Sequence, residues 1–106
     1  MTGFDPRTLM AQAKKMKDDM ARIQADLKDR MVEGVAGGGL VSCVVSGSKD
    51  IQAIRIKKEA IDPNDPEMLE DLVTVAVKTA MEKASKLYEQ EMSKVTGGMG
   101  GLGGMI

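Results

Sequence analysis

Two of the three Asp-Pro dipeptides in this chain, Asp5-Pro6 and Asp65-Pro66, bracket the part that can form strands. In each, the carboxylate suits a helix N-cap. The proline suits the first helical turn, where its missing N–H leaves no bond unmade. After the first dipeptide, apolar residues fall at Leu9, Ala13, Met16, Met20, Ile23 and Leu27. Those alternating steps of four and three trace one seam of a helix, predicted from Pro6 to Lys28 and roughly 35 Å long. Opposite charges stand four residues apart on its wetter side, at Lys14–Asp18, Lys15–Asp19, Asp18–Arg22 and Arg22–Asp26. After the second dipeptide, Glu67, Glu70 and Asp71 complement the positive end of a helix dipole. An apolar stripe of Leu69, Leu72, Val73, Ala76, Val77, Ala80, Ala84, Leu87 and Tyr88 then carries this helix from Pro66 to Val95, roughly 45 Å.

Between the helices the chain changes character. Val32, Val35, Leu40, Val41, Val44, Val45, Ile51, Ile54 and Ile56 are mostly β-branched, with glycines and serines between them. They predict three strands, over 30–36, 39–46 and 50–57, joined by turns at Gly37-Gly38-Gly39 and Gly47-Ser48-Lys49. Connections this short make neighbouring strands antiparallel. The fold class is therefore α+β: a long helix, a three-stranded antiparallel sheet and a second long helix.

The second helix, returning over the sheet, reaches the end of the first. Its far half is expected to run antiparallel beside that helix as an arm, offering Met81, Leu87, Tyr88 and Met92 to the methionine-rich seam. A strand of seven residues spans only about 23 Å, so one small sheet cannot cover both helices. The sheet also reads as apolar on both faces, with Val41, Cys43 and Val45 pointing one way and Leu40 and Val44 the other. A second subunit is the economical cover for the spare face. The candidate dimer interface is Leu40, Val41, Val44, Val45 and Ile54.

Composition narrows the chemistry. Histidine is absent, which removes the commonest general base and metal ligand. The single cysteine, Cys43, lies in an apolar strand and reads as a small buried hydrophobe, consistent with a reducing compartment. Gly98-Met99-Gly100-Gly101-Leu102-Gly103 matches a dinucleotide-binding spacing. It follows a helix where that fingerprint needs a strand, so a chance match in a glycine-rich tail is favoured. Gly37-Gly38-Gly39 has no following Gly-Lys-Ser/Thr and reads as a turn rather than a phosphate cradle. Glu70-Asp71 reads as dipole complementation, and the methionines as packing. No enzyme activity, cofactor, metal or small-molecule substrate is expected. Neither a signal peptide nor a run of about 18 apolar residues is present, so no membrane is expected either and the cytoplasm is the expected compartment.

The formal net charge is −1, so attraction to nucleic acid must be local. Residues 6–30 hold seven basic and four acidic side chains, a balance of +3, whereas residues 66–95 hold four basic and six acidic, a balance of −2. A solvated helix face is the bland reading of these lysines. No helix-turn-helix or zinc-finger spacing is present.

Several ordered segments bear on that choice. They are Leu9-Met10-Ala11-Gln12-Ala13-Lys14-Lys15-Met16, Gly34-Val35-Ala36-Gly37-Gly38-Gly39-Leu40-Val41, Ile61-Asp62-Pro63, Met68-Leu69-Glu70-Asp71-Leu72 with Ala76 and Ala80, and Thr96-Gly97-Gly98-Met99. On these the chain resembles the YbaB/EbfC family of nucleoid-associated proteins over about residues 8–99. Val77-Lys78-Thr79-Ala80 departs from the family pattern of an asparagine and an acidic residue before the alanine, so no role is carried over to those positions. The resemblance implies a tweezer-shaped homodimer with helical arms that binds double-stranded DNA in the bacterial cytoplasm or nucleoid, with a role in nucleoid organisation or gene regulation. It implies no catalytic residues. A family-like domain over 1–96 and a flexible Gly/Met-rich tail over 97–106 are expected. The predicted topology joins the start of helix one to the end of helix two at an arm tip. The candidate DNA contacts are accordingly Arg7, Lys14, Lys15, Lys17, Arg22, Lys86 and Lys94, directed mainly at phosphate. The alternative is a structural module whose arms grip another protein, with little DNA binding.

Overall fold

The structure, a computed structural model, describes residues 5–95, so the expected tail over 97–106 lies outside the described residues. Helix α1 spans Pro6–Asp29, strands β1, β2 and β3 span Met31–Ala36, Val41–Ser46 and Ile51–Ile56, and helix α2 spans Pro66–Val95. Both expected caps form. The Asp5 carboxylate accepts the Arg7 backbone N–H at 2.9 Å, and Asp65 accepts that of Met68 at 3.2 Å. Helix α1 stops where Arg30 turns extended and donates its N–H to the Leu27 carbonyl.

The strands form one antiparallel sheet in the order β1-β2-β3. The first hairpin turns through a single 3-10 turn in which Gly37, Gly38 and Gly39 have φ of 63°, 67° and 99°, a left-handed run that side chains resist. The second turn places Lys49 at φ 70°, the only non-glycine residue with positive φ among those described. Hydrogen bonds from the Lys49 N–H to the Ser46 carbonyl and from the Ser46 N–H to the Asp50 carbonyl hold it there.

The core lies between α2 and the first two strands. Val41, Cys43 and Val45 are fully buried against Ala76, Ala80 and Ala84, one small residue per helical turn. Gly34 completes the fit. A Cβ built on it would stand 2.3 Å from the Ala80 nitrogen and 2.4 Å from the Ala76 carbonyl oxygen, so strand and helix touch backbone to backbone. Met81 packs on this core rather than on α1 as the sequence suggested. α2 lies mainly over β1 and β2, and β3 is left largely exposed. Ile54 and Ile56, on the same side of the sheet as Val41 and Cys43 by register, are therefore 43% and 41% exposed.

Two expectations about the dimer face need correction. Val41 and Val45 are inside the subunit, because α2 takes the face they line, and they have no surface to offer a partner. The opposite face is mixed, not apolar: Glu33, Ser42 and Arg55 alternate there with Val35, Val44 and Ala53. Leu40 lies in the turn before β2, packed against the core.

The molecule is far from a ball. Its extents are 75 × 29 × 16 Å and its radius of gyration is 20.2 Å, against about 13 Å for a compact chain near 100 residues. The projection of α1 past the sheet accounts for the difference.

Candidate nucleic-acid interface

The apolar seam of α1 is covered only at its end. Leu27 is 1% exposed and Ile23 and Met20 are half-buried, but Met16 is 36% and Leu9 51% exposed. All side chains from 5 to 18 are exposed. The cover comes from α2 near Tyr88, which shares a cleft of about 280 Å³ with Gln24, Leu27, Lys28, Gly47, Ser48 and Lys49. An ion pair from Arg30 to Glu91 locks the junction. The described part of α2 continues only four residues beyond Glu91, about 6 Å, while α1 extends about 36 Å from the same junction.

This changes the arm tip expected from the sequence. The first half of α1, with Arg7, Lys14, Lys15 and Lys17, projects past the described end of α2. Lys94 does not join them, since its ammonium pairs with Glu91 at the junction. Lys86, two residues before Tyr88, is exposed where α2 leaves the sheet. Helix ends are placed by where the sheet delivers them, and the short overlap follows from α2 spending its first five turns on the sheet.

The basic side chains divide by their partners. Asp19 binds Lys15 at 2.9 Å and Arg22 at 2.7 Å. The Lys15 hydrogen bond, with the Lys15 and Arg22 charges, holds the Asp19 carboxyl below its usual value. Glu91 is held low in the same way, first by its hydrogen bond to Lys94 and then by the Lys94 and Arg30 charges. Of the i,i+4 pairs expected on α1, only Lys15–Asp19 forms, and Arg22 reaches back three residues to Asp19 rather than to Asp18 or Asp26. Arg7, Lys14 and Lys17 have no carboxylate within 4.0 Å among the described residues. Lys28 and Lys49, which flank the Tyr88 cleft, are not among the contacts expected from the sequence. The Lys49 ammonium lies 5.9 Å from the Tyr88 ring centroid, a cation–π contact. Lys28 was readable, two heptads after Lys14. Lys49 was not, because only the folded turn carries it there.

The fold offers little to other chemistry. Burial pushes the Cys43 thiol up, away from the reactive thiolate. Among the described residues no three His, Cys, Asp or Glu side chains gather as a metal site, and no helix is long and apolar enough to cross a membrane.

Known proteins resemble the chain over nearly its whole length. The nucleoid-associated protein of Acetivibrio thermocellus is 48% identical over 98% of this chain and 92% of its own length. That of Pelotomaculum thermopropionicum is 44% identical, over 93% of this chain and 94% of its own. The crystal structure of an uncharacterized protein from Helicobacter pylori shares the fold with a TM-score of 0.64 at 18% identity, over 74% of this chain and 90% of that one. The family model described as the YbaB/EbfC DNA-binding family matches residues 2–99. By that match and those identities, the chain belongs to the YbaB/EbfC DNA-binding family.

Proposed function

We propose that this protein is a nucleoid-associated homodimer of the bacterial cytoplasm that binds double-stranded DNA through its projecting α1 arms, mainly at phosphate. The observation that carries this reading is the arm itself: an exposed helix that outreaches its own subunit and bears the unpaired cations Arg7, Lys14 and Lys17. Scattered cations of this kind contact the backbone and give little sequence preference. Such binding serves nucleoid organisation or gene regulation, in keeping with the names of the relatives.

Apolar surface left open supports the homodimer. Ile56 lines a groove with Leu69 and Val73 beside the uncovered β3, and Ile54 stands next to it on the same row. β3 is also an edge strand, whose free backbone groups invite a further strand or a cover. Of the residues named from the sequence, Leu40, Val44 and Ile54 retain surface for this role.

Fluorescence anisotropy of a labelled duplex, repeated from 50 to 200 mM salt, tests the reading. Log affinity should fall linearly with log salt, by about 0.9 per phosphate contact. Absence of saturable binding at 50 mM salt would refute it and favour arms that grip protein, for which the open Leu9 and Met16 seam is suited.

A further inference from the structure

We propose that the duplex lies along one particular edge of α1, formed by Arg7, Lys14, Lys17 and Lys28, and that Lys49 on the β2–β3 turn extends this edge onto the body of the subunit. This assignment rests on the DNA-binding reading above and names the side chains that carry it.

The edge is defined by where the carboxylates are. At 100° per residue, Arg7, Lys14, Lys17 and Lys28 fall within an arc of about 80° around α1. No Asp or Glu of the helix lies in that arc. Asp18 borders it, and Asp29, Asp26 and Asp19 follow farther round on the same side. Lys15 and Arg22 lie on that acidic side and are both taken up by Asp19. A trio of two cations and a carboxylate offers a polyanion little net charge, whereas the other edge offers four cations that have no carboxylate within 4.0 Å among the described residues. The distinction matters at short range, because charges farther apart than about 8 Å are largely screened at physiological salt.

Length supports the same edge. From Arg7 to Lys28 is about 32 Å along the helix, close to the 34–36 Å of one duplex turn. The two ends can therefore meet backbone on the same side of the duplex, one turn apart. Lys28 then hands over to Lys49 across the cleft both of them line. The left-handed turn fixes the Lys49 backbone, and its ammonium lies over the Tyr88 ring, 5.9 Å from the centroid, beside the cleft. Its neighbour Asp50 accepts a hydrogen bond from the Ser48 hydroxyl and forms no ion pair with Lys49 among the described residues.

Two measurements on the full chain decide the matter. In the first, Lys28→Ala with Lys49→Ala is compared with removal of the whole trio by Lys15→Ala, Asp19→Ala and Arg22→Ala, using duplex anisotropy against salt. The Lys28/Lys49 variant should flatten the salt slope by about 1.8 units for each arm that engages the duplex, so that affinity changes about 12-fold less per arm between 50 and 200 mM, while the trio variant loses less than one unit per arm. Lys28→Arg with Lys49→Arg should bind like wild type. In the second, the unaltered protein is acetylated with and without a saturating duplex and read by mass spectrometry. Lys14, Lys17, Lys28 and Lys49 should be protected several-fold, and Lys57, Lys58 and Lys78 not at all. If wild type binds in a salt-dependent way yet Lys28 and Lys49 acetylate equally fast with and without DNA, the edge is wrong while DNA binding stands. A greater loss from the trio variant would place the duplex on the other side of α1. If wild type binds no duplex, the underlying reading fails.

Discussion

Gly34→Ala is the sharpest test of the packing that holds the arm in place. In an open strand this change is favourable by about 0.5–1 kcal/mol, because alanine has less backbone freedom to lose. Here the added methyl would stand 2.3 Å from the Ala80 nitrogen, 2.4 Å from the Ala76 oxygen and 2.9 Å from the Ala80 Cα. All three atoms are backbone, so no side chain can rotate away. Relief requires α2 to lift by about 1 Å, and a gap of that size forfeits a quarter to a half of each van der Waals contact it opens. The contacts at risk are those of Ala76, Ala80 and Ala84 with Val41, Cys43 and Val45. Overpacking alone costs about 1–3 kcal/mol, and the lifted row brings the expected loss to about 3 kcal/mol or more. Urea unfolding should show a lower midpoint with an unchanged slope. Gly38→Ala, with φ 67° and open space around its added methyl, is the control and should cost only about 1 kcal/mol of backbone strain. Stability of Gly34→Ala equal to or above wild type would refute the close approach of α2 to β1.

Light scattering at micromolar concentration should give about twice the 11.3 kDa chain mass, and Ile54→Lys should yield a folded monomer, whereas Val45→Asp should unfold the subunit by burying an unpaired charge. A folded wild-type monomer would remove the dimer from the account. Asp19 and Glu91 are held below their ordinary values of 3.8 and 4.5, so their stabilisation is complete above those values and lost as pH falls through the lower folded ones. Protection against hydrogen exchange at the α1–α2 junction, relative to the intrinsic rate at each pH, should therefore fall below about pH 4, and a Glu91→Gln variant should lose the share of that dependence due to Glu91. Cys43 should resist thiol reagents at neutral pH until the protein is denatured, and rapid native labelling would contradict its burial.

Much of the fold was legible because each element carries its own signal. The two Asp-Pro caps begin α1 and α2 at the residues expected, and β-branched runs between glycine turns locate the strands to within two residues. Sidedness was harder to read. Alternation separates Val41, Cys43 and Val45 from Val44, but does not say which set the subunit's own helix will claim. The length of the arm is hard to read for a related reason. Heptad spacing shows that Leu9 to Leu27 forms a seam, yet how far α2 reaches along it depends on how much of α2 the sheet uses first. Gly34 illustrates the remainder: a glycine within a strand signals close approach, but only the packed structure shows that Ala76 and Ala80 make it. Among the candidate contacts, sequence spacing proposed ion pairs for Lys14 and Lys15 alike. Rotamer geometry in the folded helix gave Asp19 to Lys15 and left Lys14 unpaired.

Replacing Arg7, Lys14 and Lys17 together with alanine asks whether the cations of the projecting half of α1 hold duplex DNA. Lys57→Ala with Lys58→Ala, beyond the far end of β3, serves as the control. Salt-titrated anisotropy should show the arm variant losing up to about three units of slope for each arm engaged and the control less than one, with both retaining the wild-type mass and helix content. Equal slopes for the arm variant and wild type, or a larger loss in the control, would contradict DNA binding by the arm.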